Sequence, residues 1–337
     1  MKAFTMRITI KQVAEKSGVS IATVSRVFNN SNLVDVETRD RVILVAEELR
    51  YSPNQLARSL SKNRTDTVGL LLPDLYGEFF SEIIRGVDQI AQQFDNHLLV
   101  SSAHNKREEI RGALRVMSGR VDGLIVMSPN IDAETLHLNL PKNLPVVLLN
   151  CYINDKSFDS INIDNFAGAN LIVKHLIEHG HKKIAMIKGN DTNYDAAQRI
   201  EGYRAALMEF GLDYSSYAVL GDFTQHSGYE AAKNILAMKD RPTAIFASND
   251  SMAIGALSAL KEFGVEVPRE MAIVGFDDIP VTQYLQPPLT TVCVDVSEYG
   301  ALAIKKLYAA IQESSQHIRQ HVVISPRLSI RDSCGFH

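Results

Sequence analysis

Two hydrophobic rhythms divide this chain. Up to about residue 50 the apolar positions recur at helical spacing, whereas from Thr67 onward short, wholly apolar runs alternate with longer amphipathic stretches. In the first part, "TIKQVAEKSG" predicts a helix with Thr9 as N-cap and Gln12 as its capping-box partner. Val13 and Ala14 give it an apolar face, and Gly18 stops it. "SIATVSRVFNN" starts a second helix at the N-cap Ser20, about three residues later, and a turn that short with a glycine in it is a helix-turn-helix signature. A third helix, "VETRDRVILVAEELRY", places Val42, Val45, Ala46 and Leu49 on one face. That is too little apolar surface for a large domain, but enough for a three-helix headpiece.

Beyond Thr67 the runs "TVGLLLPD", "HLLVSSA", "DGLIVMS", "PVVLLN", "SINID", "KKIAMIKG", "YAVLGD", "TAIFASND", "MAIVGFDD" and "TTVCVDV" read as strands. "FFSEIIRGVDQIAQQF", "NFAGANLIVKHLIEHG", "AAQRIEGYRAALMEFG" and "SMAIGALSALKEFG" read as helices between them. Strands that are apolar on both sides imply parallel sheets covered on both faces. About ten strands are many for one sheet, so the pattern predicts two α/β lobes dividing near "NIDNFAGAN". Between headpiece and body, "YSPNQLARSL" stands where a linker belongs, yet it spaces Leu56 and Leu60 at the helical neighbour distance. A helix of about eight residues is marginal alone in water, so these leucines call for a partner.

Composition narrows the class. At 337 residues, 45% hydrophobic and 22% charged, the chain fits a two- or three-domain globular protein. No apolar run approaches the ~18–20 residues of a membrane span, and the start has no signal-peptide core, so a cytoplasmic location is expected. Cys151, Cys293 and Cys334 lie far apart, which suits a reducing compartment and argues against a thiolate metal site. The net charge of −4 conceals an asymmetry: residues 1–66 carry +4 and residues 67–337 carry −8. A basic head on an acidic body points to a polyanionic partner for the head.

Signs of catalysis are missing from the sequence. It contains no phosphate loop of the GxxxxGK type, no HExxH and no GxSxG. "HGH" at 179–181 reads as a helix terminus and its flanks, with Gly180 as the stop, rather than as a metal pair. No metal, no cofactor and no enzyme activity are expected. The polar residues that follow the strands carry the chemistry, because open parallel sheets bind ligands beyond the carboxyl ends of their strands. They include Asp74, Phe79 and Phe80; Asn190, Asp191, Asn193, Asp195 and Arg199; Phe223; Asn249 and Asp250; Asp277 and Asp278. Carboxylates and amides exchange hydrogen bonds with hydroxyls while rings cover a C–H face, which suits a polyhydroxylated ligand.

The motifs "TIKQVAEKSGVSIATVSRVFNN", "YSPNQLARSL", "RVDGLIVM", "ASNDSMAIGAL" and "VGFDDIPVTQYLQPPLTTV", in this order, resemble the LacI/GalR family of bacterial transcription regulators. The resemblance implies an all-α helix-turn-helix headpiece (1–52), a hinge helix and linker (53–66), and a ligand-binding and dimerisation domain (67–337). That domain would have the periplasmic-binding-protein type I fold of two Rossmann-like parallel-sheet lobes, about 67–165 with 297–325 and about 166–296 with 326–337. Chain crossings are expected near 165, 295 and 325. Ile21, Ala22 and Arg26 match base-reading positions in the DNA major groove, and Thr23, Ser25, Asn29 and Thr38 match phosphate-facing ones. Asn54, Ala57, Arg58 and Leu60 match hinge-helix positions at DNA, with Leu60 as a minor-groove wedge and Leu56 facing a partner hinge.

The resemblance also implies roles in the body. Arg199 and Asp277 match residues that hold ligand hydroxyls, Phe80 and Phe223 match stacking rings, and Asn249 matches a polar contact. Gly77 and Glu78 in "YGEFF", and Val294, depart from common family residues. Asn193 and Asp195 stand where a purine-binding relative carries Arg and Thr, which favours a sugar or polyol over a nucleobase. The expectation is a homodimeric, cytoplasmic repressor of carbohydrate utilisation genes, released from a pseudo-palindromic operator by a sugar. A corepressor-dependent or nucleobase-responsive regulator is the alternative, ahead of a metabolite-binding protein without DNA function or an enzyme.

Overall fold

The computed structural model describes residues 8–29, 34–51, 64–104, 106–129, 131–153, 155–190, 192–213, 217–313 and 316–335. The chain forms two compact units, 1–66 and 67–337. In the first, helices α1 (Ile10–Ser17), α2 (Ile21–Asn29) and α3 (Val36–Glu48) enclose Val13, Ala14, Val24, Val27, Val42, Val45 and Ala46. Each buried valine contributes about 1.5 kcal/mol or more, so these few side chains hold the three helices together. Capping fixes the ends. The Thr9 N–H donates to Gln12 Oε1 at 2.8 Å, the Thr23 N–H to Ser20 Oγ at 3.1 Å, and the Thr38 N–H to Asp35 at 2.9 Å. Gly18 adopts φ +70°, the left-handed stop that glycine tolerates at a helix end.

The second unit carries two six-stranded sheets among its described residues. One contains β1 (Thr67–Leu72), β2 (His97–Ser102), β3 (Gly123–Met127), β4 (Val146–Leu149), β5 (Asp159–Ile163) and, far along the chain, β11 (His321–Ile324), in the order β11-β5-β4-β3-β1-β2. The other contains β6 (Ile184–Lys188), β7 (Ala218–Leu220), β8 (Ala244–Ala247), β9 (Ala272–Asp277), β10 (Thr290–Cys293) and β12 (Arg327–Ser329), in the order β12-β10-β9-β8-β6-β7. Every pairing is parallel except β10 with β12. The inner strands β3, β4, β8 and β9 are buried along their whole length, as parallel strands covered on both faces must be, and the edges β2, β7 and β11 are not.

The chain passes from one sheet to the other after β5, after β10 and between β11 and β12. Helices α4 (Glu78–Gln93), α5 (Arg107–Ser118), α6 (Ala133–Asn139) and α11 (Val296–Glu313) accompany the first sheet. Helices α7 (Asn165–Glu178), α8 (Tyr194–Glu209), α9 (Gln225–Leu236) and α10 (Asp250–Glu262) accompany the second. Each lobe therefore turns the carboxyl ends of its central strands, and the N-termini of the helices that follow, toward a common cleft.

Candidate functional site

The cleft has a volume of about 620 Å³, within the usual range for a small-molecule site. Of the thirteen residues that strand-end reasoning selects, nine line it: Asp74, Phe79 and Phe80 from the first lobe, and Asn193, Asp195, Arg199, Phe223, Asn249 and Asp277 from the second. Asp250 does not. Its carboxylate is fully buried, accepting from Thr291 Oγ1 at 2.6 Å and from the Ile279 N–H at 2.9 Å. It is the neighbouring N-cap, Asn249, that faces the cavity, while Asp250 turns into the sheet and ties β10 to the segment after β9. Asp278 also faces away, bound by Arg331 at 2.7 Å and Ser329 at 2.6 Å. Asn190 caps its own turn, accepting from Thr192, and Asp191 lies outside the described residues.

Arg199 is the cleft's buried cation. Its Nε donates to Asn165 Oδ1 at 2.8 Å, one terminal nitrogen donates to the Ser248 carbonyl, and the other lies 3.4 Å from Asp277 Oδ1. The guanidinium stacks 3.7 Å from the Phe276 ring centroid. Burial pushes the Asp277 carboxyl up to about 7 against the pull of Arg199. Burial likewise raises Asp195, again opposed by Arg199. Asp195 accepts from Tyr152 Oη at 2.6 Å, Asn165 Nδ2 at 2.9 Å and Asn150 Nδ2 at 3.3 Å.

Phe223 takes φ +70° and lies over Gly189, where any Cβ would sit 2.2 Å from its ring. Asn249 Nδ2 holds the Phe223 carbonyl at 3.1 Å while its Oδ1 caps α10. Sequence reasoning passes over the lining residues Tyr76, His104, Asn150, Asp222, Gln225 and Ser251. Asn150 directly follows β4 and Asp222 lies two residues beyond β7, so the same strand-end signal was there to be read for them.

The family model described as "Bacterial regulatory proteins, lacI family" matches residues 9–54, and that of the "Periplasmic binding protein-like domain" matches residues 173–334. The chain is 37% identical over 328 residues to the HTH-type transcriptional repressor PurR of Pasteurella multocida (strain Pm70), covering 96% of this chain and 98% of that protein. The chain belongs to the LacI family.

Its fold matches the lac repressor dimer crystallised with operator and the anti-inducer ONPF, with TM-score 0.83, 28% identity and coverage of 97% of this chain and 99% of that one. It also matches a LacI-family regulator from Enterococcus faecium crystallised with bound ribose, with TM-score 0.72, 26% identity and coverage of 79% and 98%. The protein is thus a LacI-family transcriptional repressor, with the helix-turn-helix headpiece and the two parallel-sheet lobes of that family.

In the headpiece of this LacI-family chain, α2 buries Val24 and Val27 and exposes Ile21, Ala22 and Arg26. Ala22 and Arg26, four apart, are neighbours on the helix surface, and with Ile21 they stay exposed. Thr23 bonds Ser20 at 2.9 Å, Asn29 donates to Ser25 at 3.1 Å, and Thr38 sits at the capped start of α3; all four positions are half-buried. The hinge positions Asn54, Ala57, Arg58 and Leu60, with Leu56, lie outside the described residues. Among the described residues, no cluster of three or more His, Cys, Asp or Glu side chains is arranged to hold a metal ion, and no helix is long and apolar enough to cross a membrane.

Proposed function

We propose that this repressor controls carbohydrate utilisation genes and leaves its operator when a sugar occupies the interlobe cleft. The observation that carries the reading is the convergence of Arg199, Asp195, Asp277 and Asn249 with the Phe80 and Phe223 rings in one cavity. Paired acceptors and donors beside apolar ring faces match alternating hydroxyls and C–H groups. A relative of the same fold holds ribose. The exposed Ile21, Ala22 and Arg26 face of α2 would read bases in the major groove. A homodimer in the cytoplasm on a pseudo-palindromic operator, without any cofactor or metal, completes the reading.

A second reading has its own support. The 37% identity to a PurR repressor favours a nucleobase acting as corepressor. The acid at Asp195 and the amide at Asn193 count against it.

A thermal-shift screen of the full chain with pentoses, hexoses, disaccharides and purine bases tests both readings. Ligand at ~100 times its Kd stabilises by about 2.7 kcal/mol, a visible shift that Arg199→Ala is expected to abolish. The hit is then added to a complex with an operator selected from random DNA and followed by anisotropy. Release by a sugar fits the first reading; tighter binding with a purine replaces it with the second.

A further inference from the structure

We propose that the cleft selects its effector by charge, admitting polyhydroxylated molecules without an anionic group and favouring those that carry a protonated amine. The proposal rests on the reading of the cleft as a sugar site and adds the charge class of the ligand.

Among the described lining residues, five are carboxylic acids: Asp74, Glu78, Asp195, Asp222 and Asp277. The only guanidinium or ammonium among them is Arg199. His104, the remaining basic group, lies 2.6 Å from Glu109, a carboxylate outside the lining. Arg199 is itself committed to Asn165, the Ser248 carbonyl, Asp277 and the Phe276 ring. A phosphate or carboxylate entering here would have no unshared cation to neutralise it, and anion sites are recognised by cations and forked donors.

The acids form two tiers. Asp195 and Asp277 are buried at the floor; Asp74, Glu78 and Asp222 are exposed around the rim. Burial raises both floor acids. Even with both protonated, the three rim carboxylates outnumber Arg199. The negative field at the mouth therefore does not depend on the floor's ionisation state. A field of one sign, focused in a cleft, enriches ligands of the opposite sign.

The test uses the full chain and matched ligand sets: glucose, glucosamine, glucose 6-phosphate and glucuronate, with the corresponding ribose and galactose series, and adenine, guanine and hypoxanthine as outsiders. Affinities come from calorimetry at low salt. The expected result is an amine form that binds roughly tenfold tighter than its neutral parent and an anionic form at least roughly tenfold weaker. The double variant Glu78→Gln/Asp222→Asn is expected to narrow both ratios. A phosphorylated or carboxylated sugar that binds as well as its parent, or ratios unmoved in the double variant, overturns the charge proposal while the sugar reading stands. Binding by purines alone, or by no sugar in any form, overturns the sugar reading and the proposal with it.

Discussion

Gly189 and Phe223 show how a single missing Cβ shapes the cleft. The ring lies where an alanine methyl would be, 2.2 Å away. Its backbone is held at φ +70°, a left-handed conformation that costs a non-glycine residue on the order of 1 kcal/mol. The bond from Asn249 to the Phe223 carbonyl helps offset that cost. Gly189→Ala is expected to push the ring off its shelf and weaken effector binding about tenfold or more, with the helical content unchanged; calorimetry and circular dichroism read the two separately. Asp277 supplies a second residue-scale expectation. Its carboxyl is raised from 3.8 to about 7, so between these values the folded chain binds a proton that the unfolded chain has released. The stability this group contributes is present below about pH 4 and is lost as pH rises through about 7. His175 and His181 are lowered by burial and titrate with the opposite sign, so the quantity to measure is a difference. Relative to Asp277→Asn, the wild type should lose stability in urea melts as pH is raised from 4 to 7. A difference that grows in the wild type's favour over that interval contradicts the assignment.

At the scale of elements, helices α9 and α10 touch backbone to backbone. A Cβ on Gly255 would fall 1.8 Å from the Gln225 carbonyl oxygen, and one on Gly228 would fall 2.1 Å from the Met252 carbonyl oxygen. Neither contact yields to a side-chain rotation. Gly255→Ala is expected to destabilise the second lobe by about 1–3 kcal/mol or more, read as a lower thermal midpoint. These elements also show what the pattern of residues makes legible. All ten apolar runs that predict strands form strands; for inner strands such as β3, β4, β8 and β9, burial on both faces leaves an unbroken apolar record. Helices α6 and α9 are less conspicuous. Seven-residue α6 is too short for a period, and α9 packs through Gly228, Ala231 and Ala232, whose small side chains barely register as an apolar stripe. In the cleft, the strand-end rule finds the right loops but cannot separate neighbours. Asn249 and Asp250 are both plausible helix-start residues, and only the fold shows that one caps toward the cavity while the other is pinned by Thr291. Tyr152 and Asn165 escape notice for a different reason: their partner Asp195 lies 43 and 30 residues away.

That partnership operates at the scale of the whole ligand-binding unit. Asn150 and Tyr152 follow β4 in the first lobe, and Asp195 stands in the first turn of α8 in the second, so their bonds span the cleft. The Tyr152 and Tyr194 rings, 3.8 Å apart at their centroids, add an apolar contact across the same gap. Asn150 is anchored in turn, its Oδ1 accepting from Tyr299 Oη at 2.9 Å and from the Ile163 N–H at 3.1 Å. The lobes are thus clasped at one degree of closure by groups beside the effector cavity. An effector that binds this closure and the clasp that stabilises it must reinforce each other, since coupling between sites is reciprocal. Tyr152→Phe keeps the ring contact and removes only the hydroxyl, a hydrogen bond to a charged group contributing about 1.5–3 kcal/mol. Effector affinity is therefore expected to fall roughly tenfold or more, in keeping with 1.4 kcal/mol per factor of ten. For an inducible repressor the same change disfavours the effector-bound closure, so operator affinity without effector should stay the same or rise. Calorimetry and operator anisotropy on one preparation measure both sides. Unaltered effector affinity would remove the clasp from the mechanism, and weaker binding of both ligands would mean that this closure belongs to the operator-bound state.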